Sequence, residues 1–215
     1  MIFLDSSNID IIKRYYSMNI IRGVTTNPTI LKKDGIKDID TTIKQIAKII
    51  EPFPLSVEVT SDKREDIISQ AKYYSELSYN INIKIPIHSQ DGDSYLEIIK
   101  DLSNYGIDIN ATAMMSAQQG ILASLAGAKY LSLFCGRIND MGYDSHKEIA
   151  RLRRLIDRFD LDSLIIAASS RETYNIVEWL DAGADIVTVS PDILDKMIVN
   201  PRSKETVKQF LEDAR

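Results

Sequence analysis

A single α/β domain folded as a (β/α)8 TIM barrel, with an additional C-terminal helix, is predicted by three features of this 215-residue sequence. Short β-branched runs alternate with longer amphipathic stretches, which argues for a parallel sheet with crossover helices. There are eight such runs, enough to close into a barrel, whereas an open doubly wound sheet usually uses fewer and leaves edges. No low-complexity tract or Pro/Gly-rich linker divides the chain, so residues 1–215 read as one domain with one substantial core.

In chain order the short runs fall at residues 2–5, 23–27, 55–60, 81–87, 107–114, 130–135, 164–169 and 186–190. Helix-like stretches lie between them, for example at 64–78, 95–105, 116–126, 147–159 and 171–182. Gly106, Gly127 and Gly183 stand just past helical stretches, where a left-handed C-cap is expected. After the eighth run, 192–199 and 204–214 read as two further helices. Their apolar residues (Ile193, Leu194, Met197, Ile198; then Val207, Phe210, Leu211) suit covering the barrel or a neighbouring subunit.

A net charge of -5 gives no reason to expect a nucleic acid or an anionic membrane as partner. Phosphate groups would have to be held locally, by a few arginines against the overall sign. The one cysteine, Cys135, excludes an internal disulfide and fits a reducing compartment. The opening run Ile2-Phe3-Leu4 has no basic region and is too short for a signal peptide or a membrane span. A cytoplasmic protein is expected.

Strand side chains alternate, so each run has two faces. In 81–87 the odd positions are all isoleucine and would pack against the helices, turning Asn82, Lys84 and Pro86 to the barrel axis. In 55–60, Leu55, Val57 and Val59 face outward and leave Ser56, Glu58 and Thr60 inside. The same alternation turns Asp5 inward after Phe3 and Asn27 inward with Thr25. Asn110 and Thr112 follow, then Ser132 and Phe134, and finally Ser169. A lysine, two carboxylates and several amides and hydroxyls thus converge late in their strands, where active sites of this fold sit. Burying them calls for a connected polar network.

The residue inventory narrows the chemistry. Only two histidines, His88 and His146, are present and far apart, so no histidine-rich metal site is expected. No phosphate-cradling glycine loop is present, which sets aside dinucleotide and ATP chemistry. Cys135 alternates toward the helices and makes a poor nucleophile. Lys84 is different, because burial disfavours the charged form of an amine and a neutral amine attacks ketones to give an iminium. The iminium draws electrons from the neighbouring carbon and makes an aldol bond breakable. The bland alternative, a lysine snorkelling from an edge strand, fits poorly with four flanking isoleucines. Asp5 and Glu58 suit the remaining proton transfers. Either can instead be a structural partner of Lys84, and Asp5 can also cap a helix starting at Ser6-Ser7-Asn8.

At these residues the chain resembles the transaldolase family, specifically its short subfamily together with the fructose-6-phosphate aldolases. The resemblance runs through Leu4-Asp5-Ser6-Ser7-Asn8-Ile9, Gly23-Val24-Thr25-Thr26-Asn27-Pro28-Thr29, Ser56-Val57-Glu58-Val59 and Ile83-Lys84-Ile85-Pro86. It continues in Asn110-Ala111-Thr112, Ser132-Leu133-Phe134-Cys135-Gly136-Arg137-Ile138 and Ala167-Ala168-Ser169-Ser170-Arg171. It implies Lys84 as the Schiff-base lysine, Asp5 as the acid/base of aldol cleavage, and Glu58 with Thr112 as holders of a catalytic water. It also implies Asn27 on the donor hydroxyls, Ser132 on the dihydroxyacetone unit, and Arg137, Ser169 and Arg171 at the phosphate. Guanidinium groups pair well with phosphate oxygens, and Ser170-Arg171 is expected to open a helix whose amides favour an anion. Ordinary solvated loop charges are the alternative for both arginines.

The implied reaction moves a dihydroxyacetone unit between sugar phosphates of central metabolism, such as the pentose phosphate pathway, with no cofactor. Glu58 and Phe134 resemble the transaldolase branch; the aldolase branch carries glutamine and tyrosine there, and a tyrosine hydroxyl could activate water and release free dihydroxyacetone. Leu133 replaces a usual proline, and Val189-Ser190-Pro191-Asp192 and the region 140–145 depart from the pattern. The competing readings are a related enzyme on another sugar and a sugar-phosphate-binding protein without catalysis. Retention of Lys84, Asp5 and Glu58 speaks against the latter, since binding alone needs no amine. Short members of the family form rings, so a homo-oligomer is expected.

Overall fold

The computed structural model describes residues 1–215. The chain runs β1 (Ile2–Asp5), α1 (Ile9–Ser17), β2 (Val24–Thr25), α2 (Pro28–Lys33), α3 (Ile39–Ile50), β3 (Leu55–Glu58) and α4 (Arg64–Glu76). It continues through β4 (Ile81–Pro86), α5 (Leu96–Asn104), β5 (Ile109–Met114), α6 (Ala117–Leu125), β6 (Tyr130–Leu133), α7 (Cys135–Asp140) and α8 (Ser145–Arg158). Last come β7 (Leu164–Ala167), α9 (Thr173–Asp181), β8 (Ile186–Val189), α10 (Pro191–Ile198) and α11 (Pro201–Asp213). All eight strands are parallel and in sequence order, and β8 pairs with β1 to close the barrel. Every predicted strand forms, and no strand is left as an edge from which Lys84 could snorkel.

The two faces read from the alternation separate into two cores. Ile81, Ile83, Ile85 and Ile87, with Leu55, Val57, Ile109, Leu131 and Val187, join one large cluster with helix residues such as Ile46, Ile67, Leu102 and Trp179. A separate cluster of four, Phe3, Tyr130, Ile166 and Ile186, fills the barrel interior below the polar residues. Phe3 fits there because Gly23 beside it has no side chain; a Cβ at that position would lie 2.7 Å from the ring. The predicted C-cap glycines Gly106, Gly127 and Gly183 have φ of 94°, 94° and 105°.

Several predicted strands end earlier than the sequence suggests. Strand β3 stops at Glu58, leaving Thr60 exposed, and β6 stops at Leu133, so Phe134 precedes a short helix instead of continuing inward. Strand β7 stops at Ala167, and Ser169 does not continue its inward face; it turns with φ 66°. The two terminal helices part company. Ile193 and Leu194 of α10 are buried, whereas α11 buries no residue and presents Val207, Phe210 and Leu211 to solvent, so it does not cover the barrel. No helix is long and apolar enough to cross a membrane.

Candidate active site

Register brings the polar residues to one end of the barrel. Glu58 stands opposite Lys84, Lys84 opposite Asn110, and Pro86 opposite Thr112. Lys84 is 5% exposed, so its ammonium needs partners inside the protein. It finds two: the Thr26 carbonyl accepts from Nζ at 3.0 Å, and Glu58 Oε2 lies 3.0 Å away. Glu58 is itself only partly buried, at the rim of the barrel. Thr26 is fixed in turn, because its amide and its hydroxyl both donate to the Ser56 carbonyl.

Asp5, the last residue of β1, accepts a hydrogen bond from Thr25 Oγ1 at 2.6 Å. The Thr25 hydroxyl also meets that of Thr188 on β8. With one proton each, Thr188 donates to Thr25 and Thr25 to Asp5, a relay that holds the carboxylate from two strands. Burial pushes the Asp5 carboxyl above the ordinary carboxylate range; the Lys84 charge and the Thr25 bond oppose this, while Glu58 and Asp34 add to it. The helix-cap alternative for Asp5 does not hold, since Asn8 caps α1 by accepting from the Asp10 and Ile11 amides.

A second chain of hydrogen bonds crosses the interior. Ser132 Oγ donates to Asn110 Oδ1 at 2.7 Å, and Asn110 Nδ2 donates to Ser56 Oγ at 3.1 Å. The Thr112 hydroxyl and both polar atoms of the Asn82 side chain are buried with no protein partner. Buried polar groups are ordinarily hydrogen-bonded, so these atoms stand apart from the rest of the interior. Immediately after Thr112 the backbone of Ala113 takes φ 59° where the β5–β6 register shifts. Asn27, half-buried rather than fully inside, caps α2 by accepting from the Ile30 amide at 2.9 Å.

The expected phosphate residues gather beside α7. The Ser169 carbonyl packs so tightly on Gly136 that a Cβ there would lie 1.7 Å from the oxygen. Arg137 lays its guanidinium 4.9 Å from the centre of the Phe134 ring, and Arg171 donates to Asp140 Oδ2 at 2.8 Å. Both arginines are exposed. The helix expected to start at Ser170-Arg171 starts instead at Thr173, and Asn175 Oδ1 occupies the Arg171 and Glu172 amides. Any anion here is thus held by side chains and not by those amides. Cys135 is buried in α7, where burial pushes its thiol up, and it takes no part in the site.

Sequence reasoning turned Asn110 inward without giving it a role, and left Thr188 and Asp34 out of the site. Thr188 shares the face of Ile186 and Asn110 that of Thr112, so alternation carried the signal for both. Asp34 gave none.

A closed parallel barrel whose polar, partly unsatisfied residues crowd the C-terminal strand ends has the architecture of a barrel enzyme. The chain belongs to the transaldolase/fructose-6-phosphate aldolase family, which it matches over residues 2–215. A protein of Carboxydothermus hydrogenoformans named a probable transaldolase is 39% identical over 99% of this chain and 96% of its own length. One of the same name from Lactiplantibacillus plantarum is 37% identical over 98% of this chain and 94% of its own. Among solved structures, a thiamine phosphate pyrophosphorylase from Pyrococcus furiosus shares the fold with a TM-score of 0.59 at 13% identity, covering 88% of this chain and 84% of its own.

Proposed function

We propose that this protein is a cytoplasmic transaldolase that moves a dihydroxyacetone unit from a ketose phosphate to an aldose phosphate through a Schiff base on Lys84. Sedoheptulose 7-phosphate or fructose 6-phosphate is the donor. The observation that carries this reading is the single buried amine, held 3.0 Å from Glu58 Oε2 inside the barrel with the Asp5 carboxyl at the same mouth.

Lys84 passes a proton to Glu58 and attacks the donor carbonyl carbon. Glu58, with Thr112 positioning water, returns protons as the carbinolamine loses its oxygen as water. Asp5 then accepts the proton of the hydroxyl next to the breaking carbon–carbon bond, and its raised proton affinity suits that task. The aldose phosphate leaves, and the enamine on Lys84 attacks the carbonyl carbon of the next aldose phosphate. Asp5 returns its proton to the new hydroxyl, and water hydrolyses the iminium to free the product ketose phosphate and the amine. Ser132 and Asn27 face the donor hydroxyls, and Arg137, Arg171 and Ser169 the phosphate. Phe134 has no hydroxyl with which to activate water, which favours transfer over release of free dihydroxyacetone. The exposed apolar stripe of α11 supports self-association into a homo-oligomer.

The test is intact-mass analysis after borohydride reduction with fructose 6-phosphate, on the wild type and on Lys84→Ala. A three-carbon adduct on the wild type alone is expected. A folded wild type that traps none of a panel of ketose phosphates would overturn the reading.

A further inference from the structure

Asp34 lies outside the barrel's polar cluster, one residue past α2, yet its carboxylate is committed to the chain that follows Asp5. Its Oδ2 accepts from the Ser7 amide at 2.9 Å and the Ser7 hydroxyl at 2.8 Å, and the Ser6 hydroxyl reaches it at 3.5 Å. Ser6 and Ser7 are 3% and 0% exposed, so this turn is set inside the protein and not by solvent. Ser6 Oγ accepts in turn from the amide of Asn8, the residue that caps α1. The turn from Asp5 into α1 is thereby tied at successive residues.

The other hold on Asp5 comes from the same stretch of chain. Thr25, which donates to the Asp5 carboxylate, precedes the Asn27 cap of α2, and Asp34 follows the last residue of that helix. The side chain of Asp5 is thus held by Thr25 before α2, and the chain that follows it, at Ser6 and Ser7, by Asp34 after α2. A six-residue helix spaces the two holds.

We propose that Asp34 is a positioning residue for the aldol-cleavage step, fixing the turn behind Asp5. This rests on the reading of Asp5 as the group that takes the substrate hydroxyl proton. The charges that act on Asp5 are Lys84 from β4, Glu58 from β3 and, from behind the turn, Asp34, with the neutral Thr25 bonded to it from β2. Lys84 favours the ionised carboxylate, whereas Glu58 and Asp34 oppose it. Removing the Asp34 charge lowers the proton affinity of Asp5. Removing its acceptor atoms loosens the turn.

Two variants separate these effects. Asp34→Asn keeps an acceptor for the Ser7 amide and loses the charge. Its acid limb in the pH profile of kcat/KM is expected to move to lower pH, with the plateau within about threefold of wild type. Asp34→Ala loses the acceptor as well, and its kcat should fall roughly tenfold as Asp5 loses its alignment. Borohydride trapping with fructose 6-phosphate then reports the blocked step: the intact six-carbon adduct on Lys84 rises relative to the three-carbon adduct. An Asp34→Asn profile superimposable on wild type, together with an unchanged adduct ratio in Asp34→Ala, would reduce Asp34 to a structural tie. Absence of any adduct on wild type would instead remove the Schiff-base reading itself.

Discussion

The lysine end of the site and the end proposed for phosphate are built on opposite plans. Around Lys84 most polar side chains are already held by neighbouring residues of the barrel, Lys84 by Thr26 and Glu58, Asp5 by Thr25, Ser132 by Asn110 and Asn110 by Ser56, while Thr112 and Asn82 stay unpaired. Around α7 the arginines are exposed, one stacked on a ring and the other in a surface ion pair. An exposed ion pair contributes little and is readily exchanged for another anion. Covalent chemistry needs donors and acceptors fixed before the substrate arrives, whereas a mobile phosphate can be met by side chains that rearrange around it.

Substitutions at the two ends should therefore differ in kind. Lys84→Met removes the nucleophile and should lower kcat by about four orders of magnitude or more, abolishing borohydride-trapped adduct. Asp5→Asn leaves the amine in place and should cost roughly 10²- to 10³-fold in kcat, with trapping retained. Retention of full turnover in Asp5→Asn would move the cleavage base elsewhere. At the other end, Arg137→Ala and Arg171→Ala should each raise KM for a phosphorylated donor about tenfold while changing kcat little. Borohydride trapping with free fructose, which carries no phosphate, should be no weaker in either variant than in wild type. A kcat loss as large as that of the interior variants would show that the phosphate end is as rigidly committed as the lysine end.

A smaller effect shows in stability. The Asp5 carboxyl is raised in the fold, so its contribution is fully present below the ordinary carboxylate range and is lost as pH rises through the raised value. Asp5→Asn should consequently melt higher than wild type near pH 8, and the gain should vanish near pH 3. Smallest for catalysis is Phe210→Ser with Leu211→Ser in α11. These changes should leave kinetics per site unaltered and lower the molar mass seen by light scattering.

What the sequence makes legible follows the same division. The alternation of Ile81, Ile83, Ile85 and Ile87 orients Lys84, because a strand's two faces are written in every second residue. Glu58, Thr112 and Ser132 are legible for the same reason. The period fails where strands give way to loops. Phe134 and Ser169 lie just beyond their strands, Ser169 takes a positive φ, and its carbonyl has room only because a glycine stands at 136 in another segment, which no local pattern records. Helix α2, at six residues, is too short to show an apolar repeat, and it hides the route by which Asp34 reaches Ser7.

The plug of Phe3, Tyr130, Ile166 and Ile186 beneath the polar layer has a consequence for traffic. It makes the barrel a room with one door. On the proposed chemistry, the departing aldose phosphate must clear the same opening that its replacement enters, so the two sugars queue and never meet. The half-reacted three-carbon unit is shut off from solvent below, and its lifetime is set at the doorway, where the exposed arginines stand.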